Sequence, residues 1–249
     1  ESHALFDIVR GANEWLSSNT TAAQTTYSGN YGVLSWASDG FTVGNGTAVN
    51  KNNDKYVSWN WKAGGAATTI ASGTNGSTVA SEVSANQAAG FSIVKYTTAG
   101  VQTISHGLSK APEIIINKIS NASVNWNVYT QTTGTGHLLK LNLGDATAAD
   151  SVFMTAVGAD TFSTKWSDGS YNYINYCWHS VPGYSKIGFY VGNGSTTGPE
   201  IYTGFKPAWL MTKPTTSGYW YTLDNKRNTF NVVNNRLFPN NTDTQNTGV

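Results

Sequence analysis

One cysteine in 249 residues leaves no intrachain disulfide framework. Cys177 therefore reads as a small buried hydrophobe. Charge is scarce as well: Lys, Arg, Asp and Glu make 12% of the chain, against a usual value of about 25%. With a net charge of +1 there is no electrostatic footprint for nucleic acid or an anionic membrane. No run approaches the roughly 20 apolar residues of a membrane span, so membrane insertion is not expected. Glu1-Ser2-His3 is neither basic nor followed by a long apolar core, so no signal-peptide pattern opens the chain.

Catalytic motifs are missing too. His3, His106, His137 and His179 show no metal-ligand spacing. There is no Gly-x-Ser-x-Gly elbow. Gly192-Asn193-Gly194-Ser195 lacks the Lys and the following helix of a phosphate loop.

What is present is aromatic and turn-forming. Nine Trp and thirteen Tyr supply too much apolar surface for a disordered chain. Gly, Asn, Thr and Ser favour strands and turns over long helices. In Tyr56-Val57-Ser58-Trp59-Asn60-Trp61, Val57, Trp59 and Trp61 share one face, the period of a strand. Ile114-Ile115-Ile116 reads as a strand buried on both faces, with Pro112 placed just before it. Gly44-Asn45-Gly46 and Gly192-Asn193-Gly194 are turn signals.

Three blocks recur in the order C-A-B-C-A-B-C. Block A runs from Asp39-Gly40-Phe41 to Tyr56 through Trp61, and again from Asp160-Thr161-Phe162 to Tyr173 through Trp178. Block B is Ile93-Val94-Lys95-Tyr96 with Gly107, Pro112, Lys118 and Trp126. It returns as Ile187-Gly188-Phe189-Tyr190 with Gly204, Pro207, Lys213 and Trp220. Block C is Asp7-Ile8-Val9-Arg10 with Asn19 to Gln24, and again Asp224-Asn225-Lys226-Arg227 with Asn241 to Gln245. Residues 139–150 form a degenerate middle copy. An internal repeat of roughly 100–120 residues predicts an all-β chain of tandem β-sandwich units, jelly-roll or concanavalin-like in style.

The expected division is a partial β unit at 1–65, a complete unit at 90–186 and a second partial unit at 187–249. Residues 66–89, rich in Ala, Ser, Thr and Gly, read as a linker or extended arm. Open sheet edges are avoided, so residues 187–249 are expected to complete the N-terminal half, within the chain or between chains.

The wording of these blocks resembles a known family. Leu5-Phe6-Asp7-Ile8-Val9-Arg10-Gly11-Ala12 is similar to its first signature. Ser38-Asp39-Gly40-Phe41-Thr42 leading to Tyr56-Val57-Ser58-Trp59-Asn60-Trp61-Lys62-Ala63-Gly64-Gly65 looks like its second. Gly90-Phe91-Ser92-Ile93-Val94-Lys95-Tyr96 with His106 to Pro112 looks like its third. The family is a domain of unknown function in virion proteins of marine tailed bacteriophages, often beside a concanavalin-like lectin domain. The resemblance implies a non-enzymatic structural protein of the tail, fibre or another surface of the virion. Its implied partners are copies of itself and other virion proteins. It carries over no catalytic residue. Family members place further strands before the Leu5-Phe6 motif, so the chain looks like a window on a longer array.

Two other functions are weighed beside that one. A carbohydrate-binding, lectin-like module would stack sugars of a cell-surface glycan on aromatic rings. Trp15, Trp36, Trp166, Tyr171, Tyr219 and Trp220 are the ring candidates. Trp61 and Trp178 sit at repeated positions and are expected in the core. A glycosidase would need two carboxylates about 5–9.5 Å apart, from Asp7, Asp39, Asp160, Asp168 and Asp224. Asp7 and Asp224 are block equivalents, as are Asp39 and Asp160. Such duplication fits turns, or salt links to Arg10 and Arg227, better than a catalytic pair. No cofactor is expected beyond a structural Ca2+, for which residues 50–54 offer Asn and Asp oxygens.

Overall fold

A computed structural model of the chain describes residues 2–98, 100–166, 169–229 and 231–247. The structure is almost entirely antiparallel β. Strands β1 (Leu5–Asp7), β2 (Gly11–Leu16) and β3 (Thr25–Thr26) form one small sheet. A hairpin of β4 (Val33–Trp36) and β5 (Phe41–Val43) follows, then a single helical turn, α1 (Thr47–Asn50). Next come β6 (Thr68–Ile70), β7 (Ser81–Asn86), β8 (Phe91–Thr98), β9 (Gln102–Ser105), β10 (Ile114–Ile119), β11 (Asn127–Thr130), β12 (His137–Lys140) and β13 (Ala148–Ala149). After these run β14 (Ala156–Val157), β15 (Thr161–Thr164) and β16 (Tyr171–Trp178). The chain closes with β17 (Trp209–Thr212), β18 (Tyr221–Asp224), β19 (Asn235–Arg236) and β20 (Asn246–Thr247).

The main sheet has eight strands in the order β13-β12-β11-β10-β16-β8-β7-β6. Its spine is β16, paired with β8 from Tyr171↔Thr98 to Trp178↔Phe91 and with β10 from Ile114↔Trp178 to Ile119↔Tyr173. Period two sends successive side chains to opposite faces. Val94, Tyr96, Ile115, Tyr129, Tyr173 and Cys177 share one face, covered by Ile104 and Phe162 of the small sheet β14-β15-β9. Ile93, Ile116, Val128, Ile174 and Tyr176 share the other, covered by Val9, Leu16 and Trp220. Burial on both faces explains the unbroken isoleucine run in β10, since neither side of that strand meets water.

Cys177 is buried at the centre of β16. Burial pushes its thiol well above the ordinary value. The thiol stays protonated and is not a nucleophile.

Residues 66–89 are not a free arm. They supply β6 and β7, and β7 pairs with β8 from Glu82↔Lys95 to Asn86↔Phe91. Small side chains hid this strand: Ser81 and Ser84 are buried where bulkier residues would announce a core. Trp61 is another correction, because it is exposed rather than in the core.

His106 ends the β9 segment, fully buried. Its Nδ1 accepts from Leu108 N–H at 3.2 Å, so Nε2 carries the proton and donates to Gly158 O at 3.2 Å. Burial lowers its pKa, more than the Gly158 bond and nearby Asp160 raise it. The unfolded chain takes up a proton near pH 6.5, whereas the folded chain resists it. Stability is therefore full above about pH 6.5 and falls as pH drops toward the lowered folded value. Urea titrations at pH 7.5 and 5.5 should show this loss, and His106→Phe should show less of it. Equal pH slopes for the two proteins would reject the assignment.

Candidate functional site: an aromatic cleft on a closed three-hairpin hub

Three groups of short strands make matching contacts in a closed cycle: β1-β2-β3, the β11-β12-β13 edge of the main sheet, and β18 bridged at Thr222–Leu237 to the β19-β20 pair. An Asn closes each one by accepting a backbone N–H from the head of its own first strand. Asn19 Oδ1 takes His3 N at 3.1 Å, Asn142 Oδ1 takes Trp126 N at 2.9 Å and Asn240 Oδ1 takes Trp220 N at 3.1 Å. The rings at those heads then reach a neighbouring sheet. Trp126 Nε1 donates to Ser17 O and Trp220 Nε1 to Lys140 O, both at 2.9 Å. His3 Nε2 donates to Phe238 O at 2.8 Å, which closes the cycle. His3 thus stands where the other two sheets carry Trp. Trp220, proposed from sequence as a sugar platform, is buried in this hub and cannot serve as one.

Asp7 and Asp224 are built identically. Asp7 Oδ1 accepts from Val9 N and Arg10 N at 3.0 and 2.8 Å. Asp224 Oδ1 accepts from Lys226 N and Arg227 N at 3.0 and 2.9 Å. The second oxygen of each takes Nε–H of its own arginine, at 2.5 Å from Arg10 and 2.7 Å from Arg227. That oxygen also takes a donor from block A: Tyr176 OH on Asp7 at 2.7 Å, Trp59 Nε1 on Asp224 at 3.4 Å. Burial raises the Asp224 carboxyl, but the donors from Arg227 and Lys226 outweigh it and hold it below its usual value. These carboxylates are consumed by structure, as their duplication suggested.

The cleft opens beside the first of these sheets. It has a volume of about 420 Å³ and is lined by Ser2, Trp15, Tyr27, Tyr31 and residues 45–48. Trp15 projects from β2, where it faces Thr25 of β3. Two residues on, Tyr27 N–H bonds Asn13 O at 3.0 Å, which sets its ring on Trp15. The two rings stack at 5.0 Å and 22°, and Tyr31 continues the row at 6.2 Å from Tyr27. The rest of the lining comes from the Gly44-Asn45-Gly46 turn and the residues just after it, and the backbone of that turn lies directly on residues 30 and 31. A Cβ on Gly44 would sit 1.9 Å from Asn30 O, and one on Gly46 2.1 Å from Tyr31 O. Glycine is needed here for space, not only for the turn. Exposed Asn45 and Thr47 offer an amide and a hydroxyl at the rim.

An aromatic row with neutral polar groups in the same cleft suits a flat, hydroxyl-rich ligand, and the volume falls in the usual range of about 300–1,000 Å³. Among the described residues, no carboxylate lines the cleft. Nearby Glu14 is engaged by Gln24 and Thr26 at 2.5 and 2.9 Å. Among the described residues, the cleft thus joins an aromatic row to neutral polar groups, without the two carboxylates of a glycoside-hydrolysis pair.

The other predicted ring residues are scattered. Trp166 borders a second cleft of about 370 Å³ with Asn125, Leu138, Lys140 and Asp150. It is half-buried against Phe153 and Tyr173. Tyr171 lies edge-on to Tyr173. Tyr219 is exposed elsewhere, against Phe238. Trp36 is exposed beside Phe41. Only Trp15 falls in the aromatic row, and Tyr27 and Tyr31 were missed. Their signal was two tyrosines bracketing Ser28-Gly29-Asn30 just after the Trp15 strand.

In the 50–54 cluster, Asp54 pairs with Lys51 at 3.2 Å and Asn50 Nδ2 donates to Gly44 O. Among the described residues, no three His, Cys, Asp or Glu side chains converge on a metal-sized site. Asp168 lies outside the described residues. Among those described, no helix is long and apolar enough to cross a membrane.

A protein-family model, Domain of unknown function (DUF7483), matches residues 1–249. No curated protein and no solved structure matches the chain.

Proposed function

The chain belongs to the DUF7483 family, a domain of unknown function, and from that footing we propose that it is a non-enzymatic surface component of a tailed-phage virion. In this reading it meets cell-surface carbohydrate at the Trp15 cleft, and its standing partners are copies of itself and other virion proteins. The observation that carries the carbohydrate contact is the Trp15–Tyr27–Tyr31 row sharing one cleft with Asn45 and Thr47. A sugar ring buries its apolar face on such a row and spends its hydroxyls on the polar rim. The particle role is supported by the block signatures and by an uncharged, aromatic-rich β scaffold. The engaged state of Asp7 and Asp224, with no carboxylate among the described residues of the cleft, favours binding over hydrolysis.

A glycan array with the full chain, followed by calorimetry on the best binder, tests the proposal. Trp15→Ala should weaken binding by about 2 kcal/mol, roughly 30-fold. Tyr31→Ala should also weaken it, and its ring is exposed, so folding is not at stake. Tyr219→Ala should leave binding unchanged. An array without a binder, or binding that survives both cleft variants, ends the carbohydrate reading.

A further inference from the structure

The three strand groups of the hub correspond residue for residue. Asn19, Asn142 and Asn240 take the same backbone bond. Two positions before each stands the carbonyl that accepts a neighbour's ring: Ser17, Lys140 and Phe238. Four positions before each stand Trp15, Leu138 and Arg236. Across their ladders these face Thr25, Ala148 and Asn246. Two residues past Thr25 is Tyr27, and two past Ala148 is Asp150. The two clefts therefore open at the same place on two equivalent groups. Trp15 and Tyr27 line one, and Leu138, Ala148 and Asp150 line the other, of about 370 Å³. In the third group Arg236 lies over its own Tyr221 ring at 5.4 Å.

The second cleft has exchanged stacked rings for polar groups. Its one ring, Trp166, comes from two residues past β15. Asp150 Oδ1 accepts from Val152 N and Phe153 N at 2.9 and 2.7 Å, and among the described residues Oδ2 is left open as an acceptor. Asn127 is only 6% exposed and lines the cleft, yet its amide has no hydrogen-bond partner among the described residues. A polar group so deeply placed ordinarily has a partner. Water can serve it, and a ligand hydroxyl can replace that water. Lys140 faces Asn127 across the ladder, and its ammonium reaches exposed Asp145 at 3.4 Å. Such a surface pair is weak and leaves Lys140 free to turn toward the cleft.

We propose that this cleft is a second carbohydrate site, which holds a single neutral sugar residue by its hydroxyls. The class of ligand rests on the carbohydrate reading of the chain; the site is distinct from the Trp15 cleft. Asn127 donates to one hydroxyl and accepts from another, and Asp150 Oδ2 accepts a third. Trp166 covers an apolar edge of the ring. Lys140 and Asp150 carry opposite charges in one cleft, which favours a neutral sugar over an acidic one. With one half-buried ring in place of a row of three, this is the weaker site. Its dissociation constant should be on the order of 1 mM, too weak for an array to register.

The test is an NMR titration of the full, isotope-labelled chain with methyl glycosides of neutral hexoses and N-acetylhexosamines at millimolar concentration. The Trp166 indole N–H signal, identified by its loss in Trp166→Phe, should shift on addition of at least one of them. It should shift equally in Trp15→Ala/Tyr31→Ala, which disables the first cleft. Asp150→Asn keeps an oxygen for Val152 and Phe153 N–H, so the turn should hold while affinity falls about 5–10-fold. Ala148→Arg, at an exposed position, should fill the cleft and abolish the shift. Unchanged urea midpoints show that both variants are folded. A Trp166 signal that no glycoside moves overturns the proposal. So does a shift that survives both Asp150→Asn and Ala148→Arg undiminished, or one that vanishes in Trp15→Ala/Tyr31→Ala. A shift at Trp166 without any array binder would leave the second cleft standing without the first. Array binding lost with Trp15, beside a silent Trp166, would do the reverse.

Discussion

Lys118→Met should destabilise the protein by about 3–5 kcal/mol, because it takes a buried ammonium away from a cage of four carbonyls. Lys118 is fully buried, and its Nζ donates to the carbonyls of Thr21, Ile119, Ala122 and Val124 at 2.8–3.2 Å. Methionine fills much the same volume and removes every donor. The loss then reports the stranded acceptors and not a cavity. The Thr21 bond also ties the main sheet to the first hairpin, so the two should loosen together. Lys213, the block equivalent, is half-buried and reaches Pro214 O at 2.7 Å and Thr216 O at 3.0 Å. Lys213→Met should cost about 1 kcal/mol by the same measurement. Burial pulls the Lys118 ammonium down to about 8. Between pH 8 and the ordinary lysine value of about 10.5 the unfolded chain holds a proton that the folded chain has released. Wild-type stability should therefore gain on the Lys118→Met variant across that window. Urea unfolding at pH 7, 8.5 and 10 checks both points. Equal losses at Lys118 and Lys213 would show that the cage is not the cause.

Much of this scaffold can be read from the chain. Alternation in Tyr173-Ile174-Asn175-Tyr176-Cys177-Trp178 and the isoleucine run in β10 announce strands buried on both sides. The matching of Asp7 with Asp224 foretells that each is held by an arginine three residues on. What escapes reading is settled by contacts distant in sequence. His3 takes the place of Trp126 and Trp220 in the hub, and only its bond to Phe238 reveals the equivalence. Strand β7 is hidden because Ser81, Ser84 and Ala85 pack against backbone, where small size matters more than hydrophobicity. Trp15 was legible as a ring outside the repeated positions. The cleft around it was not, because β3 must first fold back on β2 to bring Tyr27 over its face. Gly44 and Gly46 read as a turn, while their decisive property is the room they leave for Asn30 and Tyr31.

Arg10→Met should be as damaging as the loss of Lys118, about 3–5 kcal/mol, since it leaves Asp7 charged and buried without its partner. The Arg10 and Asp7 side chains are 2 and 3% exposed. The guanidinium also donates to Glu14 O at 2.8 Å, Leu5 O at 3.1 Å, Gln24 Oε1 at 3.3 Å and Tyr176 OH at 3.3 Å. One planar fork thus fixes β1 to β2, steers the strand that leads to Tyr27, and docks the hairpin on the spine of the main sheet. Lysine cannot copy that geometry, so Arg10→Lys should recover only part of the loss. Arg227 makes the parallel set to Asp224, Gln245 and Thr222 O, but its side chain is 13% exposed. Water can reach the broken site there, and Arg227→Met should cost about 1–2 kcal/mol. The two arginines differ in a second respect. Tyr27 and Trp15 sit just beyond the Arg10 hairpin, so Arg10→Met should also weaken carbohydrate binding at temperatures where the protein is still folded. Arg227→Met should leave that binding intact. Denaturant midpoints paired with glycan titrations at 10 °C separate the two readouts. Binding that weakens equally in both variants would mean that the cleft does not depend on the first hairpin.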